Sequence, residues 1–242
     1  MVEDSPRRES GSERLKSNPY SGRGIVLGLD ATGRYALQIY WITARSAGSR
    51  NRILEIDGED VRTQPFDAAD RSDDPNIWYR AIARAGDRHV VSNGIQTDTI
   101  VEHLSGSGSF ESALLTHLYE NDAPNYTDRI SGLIDLSGAR PEARLSKIVH
   151  SVAGAPVHAF YVYQQLTPGV GYCLHTYAGD GNPIPAFDAD PYDIELPGTP
   201  EEAAAAIWDD LLPTDKRVAI ALKAIDIQTK QTITLKVTNQ LT

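Results

Sequence analysis

The 242-residue sequence has one cysteine and no long apolar run. Because Cys173 is the only cysteine, the chain cannot form an internal disulfide or a metal site built from several thiolates. No apolar stretch approaches the ~20 residues that a membrane-spanning helix needs. The first residues also lack the apolar core of a secretion signal. We therefore expect a cytoplasmic protein that has no membrane partner.

Basic residues are also scarce relative to acidic ones. The chain has 23 Lys and Arg against 33 Asp and Glu, which gives a formal net charge of −10. General nucleic-acid binders have the opposite balance, so we expect no nucleic-acid partner. A phosphate-bearing ligand would need a local cluster of cations.

The sequence divides into a short polar start and one long patterned region. Residues 1–17 are charged and almost without apolar anchors, which predicts a disordered N-terminal tail. Residues 18–242 are enough for a single domain. Runs of β-branched and aromatic residues, separated by Gly- and Asp-containing turns, predict many strands paired as antiparallel hairpins. Helices are predicted at 97–104, at 110–119 and from Pro200 onward, which gives an α+β layered fold.

The stretch 119–130, YENDAPNYTDRI, groups side chains that could bind a ligand and transfer protons. It contains a carboxylate (Glu120), an amide (Asn125) and a guanidinium (Arg129), between a predicted helix and a predicted strand. A solvated turn is the alternative. If Glu120 ends the helix, the helix dipole and burial would both raise the pKa of its carboxyl.

Arginines follow the aromatic strand predicted at 35–43. Arg45, Arg50 and Arg52 lie close together in sequence, and arginine suits bidentate phosphate binding. Ordinary surface charges are the alternative.

Other candidate residues lie beside predicted strands. Asn93 offers both a donor and an acceptor, and Gly94 permits close backbone approach. Tyr79 could donate a proton, or it could be a half-buried strand residue. The histidines are scattered, and the His117–Glu120 pair has no evident third ligand, so we expect no metal.

Four short motifs, in this order, resemble the archaeal type of the IMP cyclohydrolase family. They are Gly22-Arg23-Gly24, RSAGSR at 45–50, VSNGIQTD at 91–98, and the stretch 119–130. The resemblance covers most of the chain from about residue 20 to residue 239. It implies an Ntn-hydrolase-like four-layer αββα sandwich with mostly antiparallel sheets and without a self-processing nucleophile.

The resemblance also implies an activity. Family members close the ring of 5-formamidoimidazole-4-carboxamide ribonucleotide with loss of water, giving IMP in purine biosynthesis, and are classed as hydrolases acting on cyclic amidines. The implied partner is a small purine nucleotide, with no cofactor, and a homo-oligomer is compatible with the sequence. Carried onto this chain, the implied proton-handling residues are Glu120 and Tyr79. The implied substrate-binding residues are Arg45, Ser46, Arg50, Asn93, Gly94, Asn125 and Arg129.

The sequence departs from the family pattern at two places. The family's Thr-Pro-Arg is Thr127-Asp128-Arg129 here, and Ser49 stands before Arg50 where the family has asparagine. An Asn-Arg pair occurs two residues later, so Arg50 and Arg52 both remain candidates for the second family arginine. The departures leave two alternatives open. One is a diverged cyclase or amidohydrolase of specialised metabolism, acting on a related nucleotide. The other is a purine-nucleotide-binding protein without catalysis.

Overall fold

The computed structural model describes residues 9–242, which form two β-sheets flanked by short α-helices. None of the described helices combines the length and the apolarity needed to cross a membrane. The α-helices of this region are α1 Gly11–Ser17, α2 Ala47–Arg50, α3 Gln96–Ser105, α4 Phe110–Leu114 and α5 Pro200–Asp210. The strands are β1 Arg23–Leu29, β2 Tyr35–Thr43, β3 Arg52–Asp57, β4 Asp60–Pro65, β5 Arg80–Ala85, β6 Arg88–Ser92, β7 Arg129–Asp135, β8 Glu142–His150, β9 Pro156–Tyr163, β10 Val170–His175, β11 Tyr192–Glu195, β12 Arg217–Asp226 and β13 Thr232–Asn239.

The strands form one sheet of six and one of seven. The first has the order β11-β10-β1-β2-β12-β13, and the second runs from β3 to β9 in sequence order. Every paired strand in these two sheets is antiparallel. Two of the predicted hairpin turns use glycine at positive φ, Gly33 at 71° and Gly86 at 61°. The prediction of mostly antiparallel sheets is therefore confirmed.

The two sheets pack face to face over a shared core, and helices cover their outer faces. Ile25 of β1 and Ile130 of β7 belong to the core between the sheets. On the outer face of the six-stranded sheet, Trp41 packs in one cluster with Ile207 of α5. On the outer face of the seven-stranded sheet, Phe110 of α4 lies in a cluster with residues of β6 and β7. This is the predicted four-layer αββα arrangement, and the shared core supports our proposal that 18–242 is one domain.

The N-terminal segment differs from its prediction. Residues 1–8 lie outside the described region, but Gly11–Ser17 form α1 rather than a disordered tail. Ser10 caps this helix: its hydroxyl accepts from the Glu13 N–H at 3.2 Å, and the Glu13 carboxylate accepts from the Ser10 N–H at 2.9 Å. Leu15 is 1% exposed and packs with α5. Ser12 and Lys16 add polar contacts to Asp210 of α5. A composition argument misses such contacts.

The predicted start of α5 is confirmed by its capping box at Thr199 and Glu202. Two other elements, α4 and β11, differ from their predictions. The helix predicted at 110–119 ends at Leu114, because the apolar side chains of Leu115 and Leu118 are exposed and have no packing partner to extend it. β11 interrupts the loop predicted at 178–197.

Candidate active site

A cavity of about 580 Å³ opens at one end of the sandwich, where β1 begins, β2 ends and β3 begins. Its volume lies within the roughly 300–1,000 Å³ that is usual for small-molecule sites. The lining is largely polar and combines cations, carboxylates, amides and hydroxyls. The lining residues are Tyr20, Arg23, Thr43, Arg45, Ser46, Ser49, Arg52, Asp74, Ile77, Glu120, Asp122, Asn125, Thr127, Tyr177 and Ile184.

The structure separates the two candidate arginines of the 45–52 segment. Arg52 lines the cavity and is 2% exposed; its Nε donates to the Ser49 carbonyl at 2.8 Å. Its buried Nη1 has no hydrogen-bond partner within residues 9–242. Arg50 is exposed and donates from Nη2 to the Asp215 carbonyl at 2.5 Å, away from the cavity. A buried guanidinium nitrogen without a partner is suited to bind an anionic ligand.

Arg45 and Ser46 reach the cavity as the sequence predicted. The Ser46 hydroxyl caps α2 by accepting from the Ser49 N–H at 3.3 Å, which fixes both serines on the cavity wall. Arg45 donates from Nη1 to a carboxylate oxygen of Asp180, and its guanidinium carbon lies 5.2 Å from the centre of the Tyr20 ring. The segment thus presents a guanidinium and two hydroxyls to the cavity.

Glu120 is the most deeply buried carboxylate of the cavity wall, with 2% exposure. The Nη2 of Arg23 donates to both of its oxygens at 3.0 Å. Burial raises the pKa of the Glu120 carboxyl, while the charges of Arg23 and Arg129 act to lower it. The helix dipole is not the cause, contrary to the sequence argument, because α4 ends at Leu114. Glu120 instead follows an irregular segment.

The predicted tyrosine lies behind the cavity wall. Tyr79 is 7% exposed and does not line the cavity, and its hydroxyl is 2.6 Å from the hydroxyl of Tyr40. A different phenol, Tyr177, lines the cavity and shares a hydrogen bond with the Thr127 hydroxyl. Burial raises the pKa of Tyr177 to about 12, so its phenol is neutral and can donate at pH 7.

Sequence reasoning did not select Tyr177 or Arg23 as site residues. Arg23 belongs to a recognised motif but carries no separate chemical signal, and Tyr177 follows an ordinary strand pattern. Only the packing of β1 against β10 brings these two segments together.

Three predicted substrate-binding residues form the support behind the wall. Both ends of the Asn93 amide bind the protein: Nδ2 donates to the Asp128 carbonyl at 2.9 Å, and Oδ1 accepts from the Ile130 N–H at 2.9 Å. A Cβ on Gly94 would lie 2.3 Å from Nη1 of Arg129, so glycine makes room for that guanidinium. Arg129 donates from Nε to a backbone carbonyl at 3.0 Å, and its Nη1 is 3.8 Å from Oε1 of Glu120. Asn93, Gly94 and Arg129 therefore do not line the cavity.

Asn125 lines the cavity as predicted. Its Oδ1 accepts from the Ile184 N–H at 3.0 Å, which leaves the Nδ2 group as a donor. Of the predicted residues, the structure thus brings together Arg45, Ser46, Glu120 and Asn125.

Asp128, which replaces the family's proline, is buried beside the site without lining the cavity. It is 4% exposed, and burial raises the pKa of its carboxyl to about 7, although the charge of Lys147 acts to lower it. Asp188, Glu120 and Asp122 add to the increase because their negative charges disfavour another one.

Asp128→Asn is expected to stabilise the protein at pH 8 and to have little effect at pH 4. The folded-state pKa of about 7 exceeds the ordinary 3.8, so the folded protein binds a proton that the unfolded chain releases. Stability is therefore lost as pH rises from about 4 through 7, by up to about 4 kcal/mol for a shift of this size. Thermal unfolding at both pH values measures the difference. Asp209→Asn, which alters an exposed carboxylate of α5, is the control; equal changes at both pH values would contradict the argument.

A family model described as "IMP cyclohydrolase-like protein" matches residues 20–231, which include every residue that lines the cavity. The IMP cyclohydrolase of Methanothrix thermoacetophila is 32% identical over 138 residues, which cover 53% of this chain and 67% of the relative. That of Methanosphaera stadtmanae is 29% identical over 164 residues, covering 65% and 73%. That of Methanococcus aeolicus is 28% identical over 120 residues, covering 48% and 58%.

Proposed function

The chain belongs to the IMP cyclohydrolase-like family, and from this premise we propose that it is an IMP cyclohydrolase. The reaction closes the ring of 5-formamidoimidazole-4-carboxamide ribonucleotide with loss of water and gives IMP. The observation that carries the proposal is the composition of the cavity wall. A buried carboxylate, Glu120, lies in the same cavity as three arginines, Arg23, Arg45 and Arg52. The substrate needs both a proton acceptor and a binding site for its phosphate.

The phosphate and ribose end of the substrate binds beside the 45–52 segment. Arg45 and Arg52 supply guanidinium groups, and Ser46 and Ser49 supply hydroxyls. Arg23 is already paired with Glu120, so it is not the main anion-binding residue. The carboxylate of Glu120 and the cationic 45–52 segment lie in different parts of the cavity and orient the nucleotide. The base lies toward Glu120 and the phosphate toward Arg52.

Ring closure needs two reacting groups held close together and a path for protons. The carboxamide nitrogen attacks the formyl carbon, which forms the new C–N bond. Glu120 takes one proton from this nitrogen and returns it to the former formyl oxygen. The C–O bond then breaks, and the formamido nitrogen loses its proton to complete the departing water. Tyr177 stabilises the oxygen while negative charge develops on it, by turning its phenolic O–H from the Thr127 hydroxyl to this oxygen.

Tyr79 supports the same region from behind the wall. Its hydroxyl pairs with that of Tyr40, and both side chains are buried within the inter-sheet core. We propose that this pair holds β2 and the segment before β5 in register beneath the site, whereas Tyr177 contacts the substrate.

The first sequence departure lies outside the cavity, because Asp128 is absent from its lining. For the second, the position of Arg52 in the cavity wall supports Asn51-Arg52 as the counterpart of the family's Asn-Arg pair, two residues further from Arg45 than in the family pattern. In this alignment Ser49 does not replace the family's asparagine.

Incubation of the purified protein with the formylated ribonucleotide tests the proposal. IMP formation, followed by chromatography, is the expected result. A folded protein that binds IMP tightly but never closes the ring would be a binding protein instead. A folded protein that neither binds IMP nor closes the ring would support the diverged enzyme with a related substrate.

Arg52→Met is expected to weaken IMP binding by about 10–100-fold, the usual worth of a hydrogen bond to a charged group. Methionine keeps much of the stem volume at this buried position, so the loss reports the guanidinium. Titration calorimetry measures the affinity. Arg50→Met is the matched control and should change the affinity less than about twofold, since Arg50 points away from the cavity. A larger loss of IMP affinity in Arg50→Met than in Arg52→Met would instead make Arg50 the counterpart of the family's second arginine.

A further inference from the structure

Two cations share one carboxylate at the rim of the cavity. Arg45 donates from Nη1 to Oδ1 of Asp180, and Lys216 donates from Nζ to Oδ2 at 2.5 Å. Both cations lie over the face of Tyr20, with the guanidinium carbon 5.2 Å and Nζ 5.6 Å from the ring centre. Arg45 and Tyr20 line the cavity, so this cluster borders the site.

Asp180 lies at the tip of a loop whose base is fixed. At the base of the loop 178–186, the Ala178 N–H donates to the Pro185 carbonyl at 2.9 Å. The bridge between Tyr177 and Ala186 closes the same base. Asp180 itself stands between Gly179 and Gly181, residues that permit large backbone changes. The tip can therefore move without disturbing the base of the loop.

The tip is held by two ion pairs and by one hydrogen bond, in which Nη1 of Arg45 donates to the Gly181 carbonyl at 2.8 Å. The ion pairs are weak enough to be exchanged. The side chains of Arg45 and Asp180 are 35% and 37% exposed, and that of Lys216 is 18% exposed. Ion pairs with this exposure are typically worth only about 0–1 kcal/mol each, because water screens them. A phosphate monoester carries about −1.5 to −2 charges at pH 7 and matches two cations better than one carboxylate does.

We propose that Arg45 and Lys216 form a phosphate-binding pair, and that Asp180 is an internal anion that occupies this pair until a phosphate-bearing ligand displaces it. Lys216 thereby becomes a substrate-binding residue, although it lies far in sequence from the motifs that mark the site. Displacement is required because a carboxylate left beside the phosphate would repel it. The loop 178–186 also carries Ile184 and begins beside Tyr177, which both line the cavity.

The identity of the nucleotide rests on the proposed function, whereas recognition of a phosphate does not. A competing arrangement has Asp180 holding Arg45 in its binding orientation while the phosphate uses the remaining guanidinium nitrogens. The two arrangements differ in whether Asp180→Asn tightens or weakens phosphate binding.

Titration calorimetry at low ionic strength with IMP, inosine and ribose 5-phosphate distinguishes them. Asp180→Asn is expected to tighten the binding of IMP and ribose 5-phosphate by about 3–10-fold and to leave inosine unchanged. Lys216→Met is expected to weaken the binding of IMP and ribose 5-phosphate by about 10-fold, again without an effect on inosine binding. Both effects should shrink as salt is added. Asp188→Asn, which removes an equal charge from an exposed position, is the control and should leave all three affinities unchanged.

Weaker phosphate binding in Asp180→Asn would overturn the proposal and assign Asp180 the orienting role. An unchanged phosphate affinity in Lys216→Met would also overturn it. The binding titrations and the ring-closure assay test the two proposals separately. If ribose 5-phosphate responds as expected but no ring closes, the phosphate pair stands and the proposed function falls. If the ring closes but Asp180→Asn has no effect on phosphate binding, the proposed function stands and the phosphate pair falls.

Discussion

Glu120→Gln is expected to slow ring closure by about 10²–10⁴-fold, the usual contribution of general acid–base catalysis. Glutamine keeps the size of the side chain and one acceptor oxygen for Arg23, but it cannot accept the carboxamide proton. The affinity for IMP should change by only a few-fold, because the phosphate binds at the opposite part of the cavity. The effect should therefore appear in turnover and not in binding.

Single-turnover ring closure, measured beside an IMP titration, gives the two quantities separately. In the wild type the rate should rise with pH through the elevated pKa of Glu120, and this rise should vanish in Glu120→Gln. Glu111→Gln is the matched control, since Glu111 pairs with Arg144 on the outer helical layer. A wild-type rate in Glu120→Gln, or a loss of affinity alone, would mean that Glu120 positions the substrate and another group is the base.

Much of the fold could be predicted because its signals are local. Hairpin turns at Gly33 and Gly86, alternating apolar residues in the strands, and the capping box before α5 each act over a few residues. The errors occurred where tertiary packing decides the outcome. Buried Leu15 and the contacts of Ser12 and Lys16 with α5 dock α1. Leu115 and Leu118, in contrast, have a helical spacing but stay exposed.

The candidate site was only partly predictable for a similar reason. A motif marks positions but does not say which side chains line a cavity and which support it from behind. Asn93 and Gly94 belong to a motif as clear as that of Arg45, yet their atoms bind the backbone or make room for Arg129. Arg50 ends the short helix α2 and is exposed, whereas Arg52 opens β3 and is buried. The motif alone does not predict this difference.

Removal of Arg23 is the second large effect that we expect. Arg23→Met should lower the free energy of unfolding at pH 8 by about 3–5 kcal/mol, the typical result of leaving a buried charge without its partner. Arg23 and Glu120 side chains are 8% and 3% exposed, so water cannot replace the lost interaction. Without the arginine, the pKa of Glu120 should rise further, because Arg23 is the strongest of the charges that lower it.

The higher pKa of Glu120 determines how the loss of stability in Arg23→Met depends on pH. A carboxyl whose folded-state pKa exceeds its unfolded value contributes stability at low pH that is lost as pH rises. Arg23→Met should therefore be closest to the wild type in acid and least stable in alkali. The pH at which ring closure reaches half its maximum should move upward in this variant.

Denaturant unfolding at several pH values, with the pH profile of the rate, tests this argument. The double variant Arg23→Met with Glu120→Gln should recover much of the lost stability, because the buried carboxylate that Arg23 leaves behind is removed as well. The nearby Arg129 keeps its hydrogen bonds to the Leu118 carbonyl and to the Gln96 and Asn76 side chains. Arg62→Met is the control: the side chains of Arg62 and its partner Asp57 are 41% and 63% exposed, and such exposed pairs are worth at most about 1 kcal/mol. If the double variant is no more stable than Arg23→Met alone, the defect comes from lost packing around Arg23. The carboxylate of Glu120 would then not depend on Arg23 for its charge.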